Sequence, residues 1–375
     1  MRAAERKIGL DLMRSIAVLL VMASHYANNF SYWLGLSAPH AVFYAGDLGV
    51  ALFFGLSGFL IGGILLDIIT EGGGGPALLR FWIRRWMRTL PIYWLWLCGL
   101  IIFFPPVRHR LDYFLHFATM TQNLAQPMPG DFWFAVSWSL PIEEWFYFLF
   151  GGATVFAALY FGPRKGIFLS LAVFLLAPLA ARALDPQIAV WDSGHIKMVP
   201  FRLDEIAYGV VVAGLHRAQN RVFRHAGLCF ACGVLLLGGD WLLQWRQMTL
   251  LPLRAYSVLQ PTVTILGSVL CLPIAVRLSR LPPILAWLAR TVSRQSYALY
   301  LVHLTILTDV VQGYWWTHRD TTLPAMAAAL VLPFLVAELL SRLVEQPIMR
   351  LRPAQFVAPA APFLVSGPVG DGRAL

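Results

Sequence analysis

Residues 48–66 read LGVALFFGLSGFLIGGILL, nineteen consecutive positions without a charged side chain, closed off by Asp47 and Asp67. A helix that crosses the hydrocarbon core of a bilayer needs about 20 mostly apolar residues, and this run supplies them. Its apolar residues are continuous and do not alternate, which excludes a strand of an outer-membrane barrel. The same window moved outward along the chain predicts about ten spans, at residues 10–30, 42–69, 89–105, 138–161, 167–184, 199–216, 226–243, 259–278, 294–313 and 323–343. A shorter apolar run at 111–124 reads as a re-entrant or surface helix, because an eleventh span would invert everything after it. Composition agrees: 58% of the 375 residues are hydrophobic and 13% are charged, against about 45–50% and about 25% in soluble domains. Mean hydropathy is +0.66. These values exclude a disordered chain, a coiled coil and a soluble two-domain enzyme. The expected fold class is an all-α polytopic membrane protein.

Charge gives the orientation. Lys+Arg number 29 and Asp+Glu 19, a net +10. In a soluble protein such an excess would suggest nucleic acid. Here twenty of the basic residues fall in one set of alternate connections and six in the other, with Arg14, Arg182 and Arg202 within spans or at their ends. By the positive-inside rule both termini are expected in the cytoplasm, and no nucleic-acid partner is expected. A cleavable signal peptide is disfavoured, since Asp11 and Arg14 interrupt the first apolar run. Residues 1–352 are expected to form one membrane-embedded domain and 353–375, rich in Pro, Ala and Gly, a disordered cytoplasmic tail. Residues 72–75 are a run of glycine that lacks the Lys-Ser/Thr of a phosphate loop. Gly55, Gly58, Gly62 and Gly63 on the second span predict close helix packing. The four cysteines, including Cys229-x-x-Cys232, lie in apolar runs and read as small buried hydrophobes.

Ionisable side chains inside a bilayer are costly and are functional candidates for that reason. They are Asp11, Arg14 and His25 on span 1, Asp47 on span 2, Glu143 and Glu144 on span 4, Arg202, Asp204 and Glu205 on span 6, His303 on span 9, and Glu338 and Glu345 on span 10. Arg14 and His25 are eleven residues apart, which returns them to within roughly 20° of one helix face and separates them by roughly 16 Å along the axis. Alone, such a pair also suits a snorkelling Arg and a His bonded to a neighbouring helix. Glu143 and Asp204 fall at about the depth of His25. A carboxylate beside an imidazole fixes its tautomer and raises its basicity, making it a general base for a hydroxyl. The sequence does not decide between Glu143 and Asp204 as that partner. Arg80, Arg84, Arg85 and Arg88, interleaved with Phe81, Trp82 and Trp86, read as an amphipathic surface helix or as a phosphate clamp, guanidinium groups binding phosphate in a bidentate fashion.

Seven blocks together resemble the acyltransferase 3 family of integral membrane acyltransferases, in the family's order and covering about residues 8–352. They are GLDLMRSIAVLLVMASH (9–25), with the family's Arg-x10-His; GDLGVALFFGLSGFLIGGIL (46–65); FWIRRWMRTLPIYW (81–94), with its Arg-x-x-Arg; SWSLPIEEWFYFLF (137–150); FRLDEIAYGVVVAGL (201–215); SYALYLVHLTIL (296–307); and RLVEQPIMRL (342–351). Two positions depart from the pattern: Pro141, where members usually carry a small residue, and Leu304, where Pro often follows the His. The resemblance implies transfer of an acyl group, often acetyl, from acyl-CoA to a hydroxyl, usually on a glycan. It makes His25 the catalytic base with Glu143 assisting, and gives Arg14, Arg85 and Arg88 to the donor. Asp11, Ser139, Arg202, Asp204 and His303 are expected to support the site or the acceptor.

The expected partners are acyl-CoA as co-substrate, a glycan or lipid-linked sugar and the bilayer, at a bacterial inner membrane. No resident cofactor and no metal are expected, because His25 and His303 lack a ligand cluster. Many family members carry an esterase-like extracellular domain after the membrane part. None is expected here, so later handling of the acyl group falls to another protein. The rival class is a transporter or flippase, which ten spans with midplane charges also suit, although no internal repeat is visible. A non-catalytic scaffold leaves the alignment of Arg14, His25 and Glu143 without a purpose. Phe132 and Trp133, in the long connection between the third and fourth spans, suit sugar stacking or the membrane interface.

Overall fold

The computed structural model describes residues 7–37, 41–105, 110–128, 133–187, 195–245 and 252–354. The expected tail lies, from residue 355, outside the described residues, as does Phe132. Among the described residues every regular element is helical. The long helices are α1 (Ile8–Trp33), α2 (Ala41–Thr70), α3 (Gly74–Phe103), then, after the short α4 (Arg110–Ala118), α5 (Ser139–Phe161), α6 (Pro163–Leu184), α7 (Val199–Arg217) and α8 (Ala226–Trp245). They are followed by α9 (Leu253–Leu270) with α10 (Leu272–Arg277), α11 (Pro283–Thr305), α12 (Gly313–Thr317), α13 (Thr322–Leu340) and α14 (Gln346–Arg350). Eight of these helical stretches are long and apolar enough to cross a membrane. The chain is an all-α polytopic membrane protein. The two expected spans outside that set, 199–216 and 294–313, correspond to α7 and α11. α7 is an interior helix and α11 is buried over its second half; the charged residues Arg202, Asp204 and Glu205 on α7 and Arg290 and Arg294 on α11 lower their apolarity.

Close packing of backbones builds the centre. A Cβ at Gly58 of α2 would collide with the Ile206 carbonyl of α7, and one at Gly209 with the Gly55 carbonyl. Small residues at such crossings let two helices approach until their backbones touch, which in lipid replaces the missing hydrophobic drive. On the other side of α2, a Cβ at Gly49 would lie 2.6 Å from the Ala17 carbonyl of α1. α1 is fixed in turn to α11, where Ser293 Oγ donates to Asp11 Oδ1 at 2.7 Å and Ser15 Oγ to the Ala289 carbonyl at 2.8 Å. Outward-facing leucine and phenylalanine side chains, such as Leu159, Phe168 and Leu235, are largely exposed, a surface suited to lipid. Cys98 and Cys232 belong to that outer surface, and all four cysteines are free. The expectation that they are buried therefore fails for these two.

Two details position the site. Gly72, with φ of 73°, ends α2 in a left-handed turn that glycine alone adopts without strain, and α3 starts at once. The arginines expected ahead of the third span are therefore part of it: α3 runs unbroken from Gly74 to Phe103 with Pro91 inside. α4 has nine residues, about 13 Å of helix, and cannot span. It lies back on α3, with Tyr93 Oη donating to the Phe117 carbonyl at 2.9 Å and Trp94 Nε1 to that of Ala118 at 3.0 Å. Trp133 packs its ring edge-on against Phe117 and donates to the Phe104 carbonyl at 2.7 Å, so it closes this loop.

Candidate active site

α1 is one continuous helix, so the three-turn spacing of Arg14 and His25 is realised. At the His25 level the neighbour is His303 of α11. His25 Nδ1 and His303 Nε2 are 2.9 Å apart, and the rings stack with centroids 5.1 Å apart. His303 is fully buried, and its Nδ1 faces the carbonyls of Leu299 at 3.0 Å and Tyr300 at 2.9 Å. Carbonyls only accept, so Nδ1 of His303 carries the proton. A buried imidazolium without a counter-ion is costly, so His303 is neutral and its Nε2 accepts. His25 Nδ1 must then donate, which leaves the lone pair of His25 on Nε2. The hydrogen positions follow from this network. His25 itself is half-buried.

Neither expected carboxylate meets the imidazole. Glu143 forms a close ion pair with Arg85. Asp204 is held by both terminal nitrogens of the fully buried Arg182, at 2.9 and 2.7 Å. The physical reason is depth plus charge: each acid reaches an arginine on an adjacent helix, and a buried carboxylate beside a guanidinium is better compensated than one beside a neutral ring. Arg182 also donates to Thr262 Oγ1 at 2.9 Å and to the Val258 carbonyl at 3.0 Å, tying α6, α7 and α9 together.

A cavity of about 280 Å³ opens between α1, α2, α3, α5 and α11. Arg14, Arg85, Arg88, Glu143 and Ser139 line it together with apolar residues of α2 from Val50 to Ile64. Four of the five residues expected to bind donor or catalyse are thus brought to one cavity; His25 lies beyond it. Tyr300 is the link. It lines the cavity, its ring centroid is 6.1 Å from that of His303, and its hydroxyl accepts from Ser139 Oγ at 2.6 Å and donates to the Val136 carbonyl at 2.9 Å.

The guanidinium groups differ in their freedom. Arg85 is fixed: besides Glu143 it has Glu144 Oε1 at 3.4 Å and the face of Tyr147 at 4.5 Å. Arg14 and Arg88 have no hydrogen bond or ion pair among the described residues. A second cavity of about 190 Å³ continues from the first, sharing Ile61, Ile64, Arg85 and Arg88 and adding Arg84 and Arg352. Among the described residues no three His, Cys, Asp or Glu side chains come together in a group that could hold a metal ion.

The remaining expected site residues form a separate network. Arg202 pairs with Asp47 at 3.2 Å and with Glu205, and lies 5.3 Å over the Trp138 ring. Gln260 joins Asp47 at 3.2 Å to Asp240, which also accepts from Tyr256 Oη at 2.8 Å. Asp11 serves the α1–α11 contact. Sequence reasoning missed Asp240 and the buried role of Arg182. Both sit near the end of an apolar run, where a charge reads as the edge of a span, and neither stands among the candidates for a buried network. It also missed Arg352, counted only as an orienting charge.

A family profile described as an acyltransferase domain matches residues 7–342. The peptidoglycan O-acetyltransferase OatA of Listeria monocytogenes is 25% identical over 387 aligned positions, which cover 91% of this chain and 55% of that protein. The chain therefore spans little more than half the length of that relative. No solved structure matches. The helical bundle is an acyltransferase domain, and the chain belongs to the acyltransferase 3 family.

Proposed function

We propose that the protein moves an acyl group, acetyl in the first instance, from cytosolic acyl-CoA to a hydroxyl of a cell-envelope or exported glycan at the bacterial inner membrane. The observation that carries this reading is the buried hydrogen-bond chain from the Leu299 and Tyr300 carbonyls through His303 to His25, which leaves an unprotonated nitrogen on a half-buried ring. The relative's printed activity, on peptidoglycan, supports an envelope glycan as the acceptor class.

The acceptor hydroxyl meets His25 Nε2, which takes its proton as the oxygen attacks the thioester carbonyl. The C–S bond breaks in the collapse of the tetrahedral intermediate, and the imidazolium returns the proton to the departing thiolate. The products are an ester and free CoA, with no net proton change. His303 touches no substrate; it positions His25 and fixes its tautomer. Arg14 and Arg88, cations of the first, inner cavity without a hydrogen bond or ion pair among the described residues, attract the donor, and Arg85 is held for the same task by Glu143 and Glu144. The apolar α2 wall from Val50 to Ile64 suits the extended acyl-pantetheine arm. Glu143 thereby moves from the imidazole to the donor side of the reaction.

The test is reconstitution in liposomes with radiolabelled acetyl-CoA on the side of the basic loops and envelope glycan on the other. Label appearing on the glycan supports acyl transfer. Glycan crossing the membrane without label would identify a transporter instead.

A further inference from the structure

The inner cavity leaves the outer one unexplained. The outer cavity is lined by Arg84, Arg85, Arg88 and Arg352 and by no carboxylate. Its apolar floor is α2 from Ile61 to Ile68, while the inner cavity reaches back to Val50. The two together follow α2 for about 27 Å at 1.5 Å per residue. Charge is not balanced across the outer lining. Arg85 is neutralised by two glutamates. Arg84 donates to the Pro353 carbonyl, which holds the side chain without compensating its charge. Arg88 and Arg352 have no hydrogen bond or ion pair among the described residues, and Arg352 Nε is buried without a partner. Glu345 is the carboxylate that acts on both through its charge, without an ion pair to either. Burial, with Arg84 and Arg88 alongside, pushes the Arg352 guanidinium below its ordinary value, as expected of a cation short of counter-charge. Such an arrangement is stabilised by an anion with several oxygens, which guanidinium groups bind in pairs.

Resting on the donor assignment above, we propose that Arg352 and Arg84 form a second, outer subsite for the 3′-phosphorylated ADP end of the donor, distinct from the inner cavity that takes its thioester arm. Arg352 lies beyond the residues matched by the family, which end at 342. It reaches the site because α14 and the segment after it fold back against α3, where Arg84 grips Pro353. The order of the two cavities along α2, four arginines first and an apolar channel next, is the order of a nucleotide followed by a pantetheine arm. A lipid headgroup offers similar phosphate chemistry. The shared Arg85 and Arg88, which open the outer cavity directly into the channel, favour the nucleotide.

The test uses the full chain in liposomes of neutral lipid, with acetyl-CoA and 3′-dephospho-acetyl-CoA as alternative donors. The wild type should prefer acetyl-CoA by about tenfold or more in kcat/KM. Arg352→Ala and Arg84→Ala should each erase most of that preference by raising KM for acetyl-CoA, with kcat and the dephospho donor little changed; Arg352→Lys should restore part of it. Binding of radiolabelled adenosine 3′,5′-bisphosphate should weaken about tenfold in Arg352→Ala. Equal use of both donors by the wild type, or an equal loss on both in the variants, overturns the subsite. Displacement of the bisphosphate by anionic lipid, with donor preference unchanged in Arg352→Ala, assigns the cavity to a headgroup and overturns it too. If the wild type transfers no acetyl group but binds the bisphosphate through Arg352, the subsite stands and the acyl-transfer reading falls.

Discussion

Glu143 closes on Arg85, not on His25. In the proposed mechanism the carboxylate in the Trp-Ser-Leu block therefore bears on the donor and not on the proton transfer. Glu143→Gln should raise KM for acetyl-CoA by about tenfold, roughly 1.4 kcal/mol of binding, and change kcat little. A variant whose kcat collapses at saturating donor would return Glu143 to the imidazole. Steady-state kinetics with varied acetyl-CoA separates the two.

His25→Ala should abolish transfer while the protein still inserts and keeps its thermal stability. General-base catalysis accounts for about 10²–10⁴-fold, and no other imidazole of the described residues stands at that point. Full activity in this variant would sink the mechanism.

His303→Ala removes the acceptor for His25 Nδ1–H. The expected result is a fall in kcat of about 10²-fold with KM for the donor unchanged. His303→Gln, whose side-chain oxygen can accept the same hydrogen bond, should recover part of the loss. A variant that loses activity only because it unfolds would show a lowered Tm and no recovery with Gln, so the comparison is read on both.

Arg182 and Asp204 form a buried pair whose separation leaves an uncompensated charge. Asp204→Ala should cost about 3–5 kcal/mol, seen as a lower Tm in detergent. The double variant Arg182→Leu with Asp204→Leu should be less damaged than either single change. A Tm unchanged in Asp204→Ala would show that the pair carries no weight in the fold.

Gly58→Leu should prevent α2 and α7 from closing, because the added side chain meets the Ile206 carbonyl. Overpacking of this kind costs about 1–3 kcal/mol or more. Yield and Tm of the purified variant report it, and Gly227→Leu, where nothing stands within 4 Å, is the control.

The apolar runs were readable in the sequence because lipid leaves so few ways to satisfy a backbone. The same rule misjudges helices whose charges meet partners on other helices. α7 pairs Arg202 and Asp204, and α11 pairs Arg294, with charges on other helices, and a window average cannot see a partner. The start of the third span was hidden for a related reason: Arg80 to Arg88 look like a loop end by charge, yet α3 carries them inside a single rod, with Glu143 and Glu144 compensating Arg85 and the Pro353 carbonyl holding Arg84. Arg14, Arg85 and Arg88 could be assembled from sequence spacing plus family resemblance. The contact of His25 with His303 could not, since it depends on the rotation of α11 against α1, which the Asp11–Ser293 and Ser15–Ala289 bonds set.

The pairing of two neutral rings has an electrostatic consequence. An imidazole leaning on a carboxylate is negative at rest and becomes a stable ion pair once it is protonated. Two imidazoles are uncharged at rest, so the surrounding low-dielectric helices bear no ionic load while the enzyme waits. In the proposed mechanism charge arises there only after a hydroxyl has surrendered its proton, and no carboxylate among the described residues bonds either ring to keep it. In that mechanism His25 is thus a short-lived carrier, driven to hand the proton on to the leaving sulfur as soon as that sulfur becomes basic.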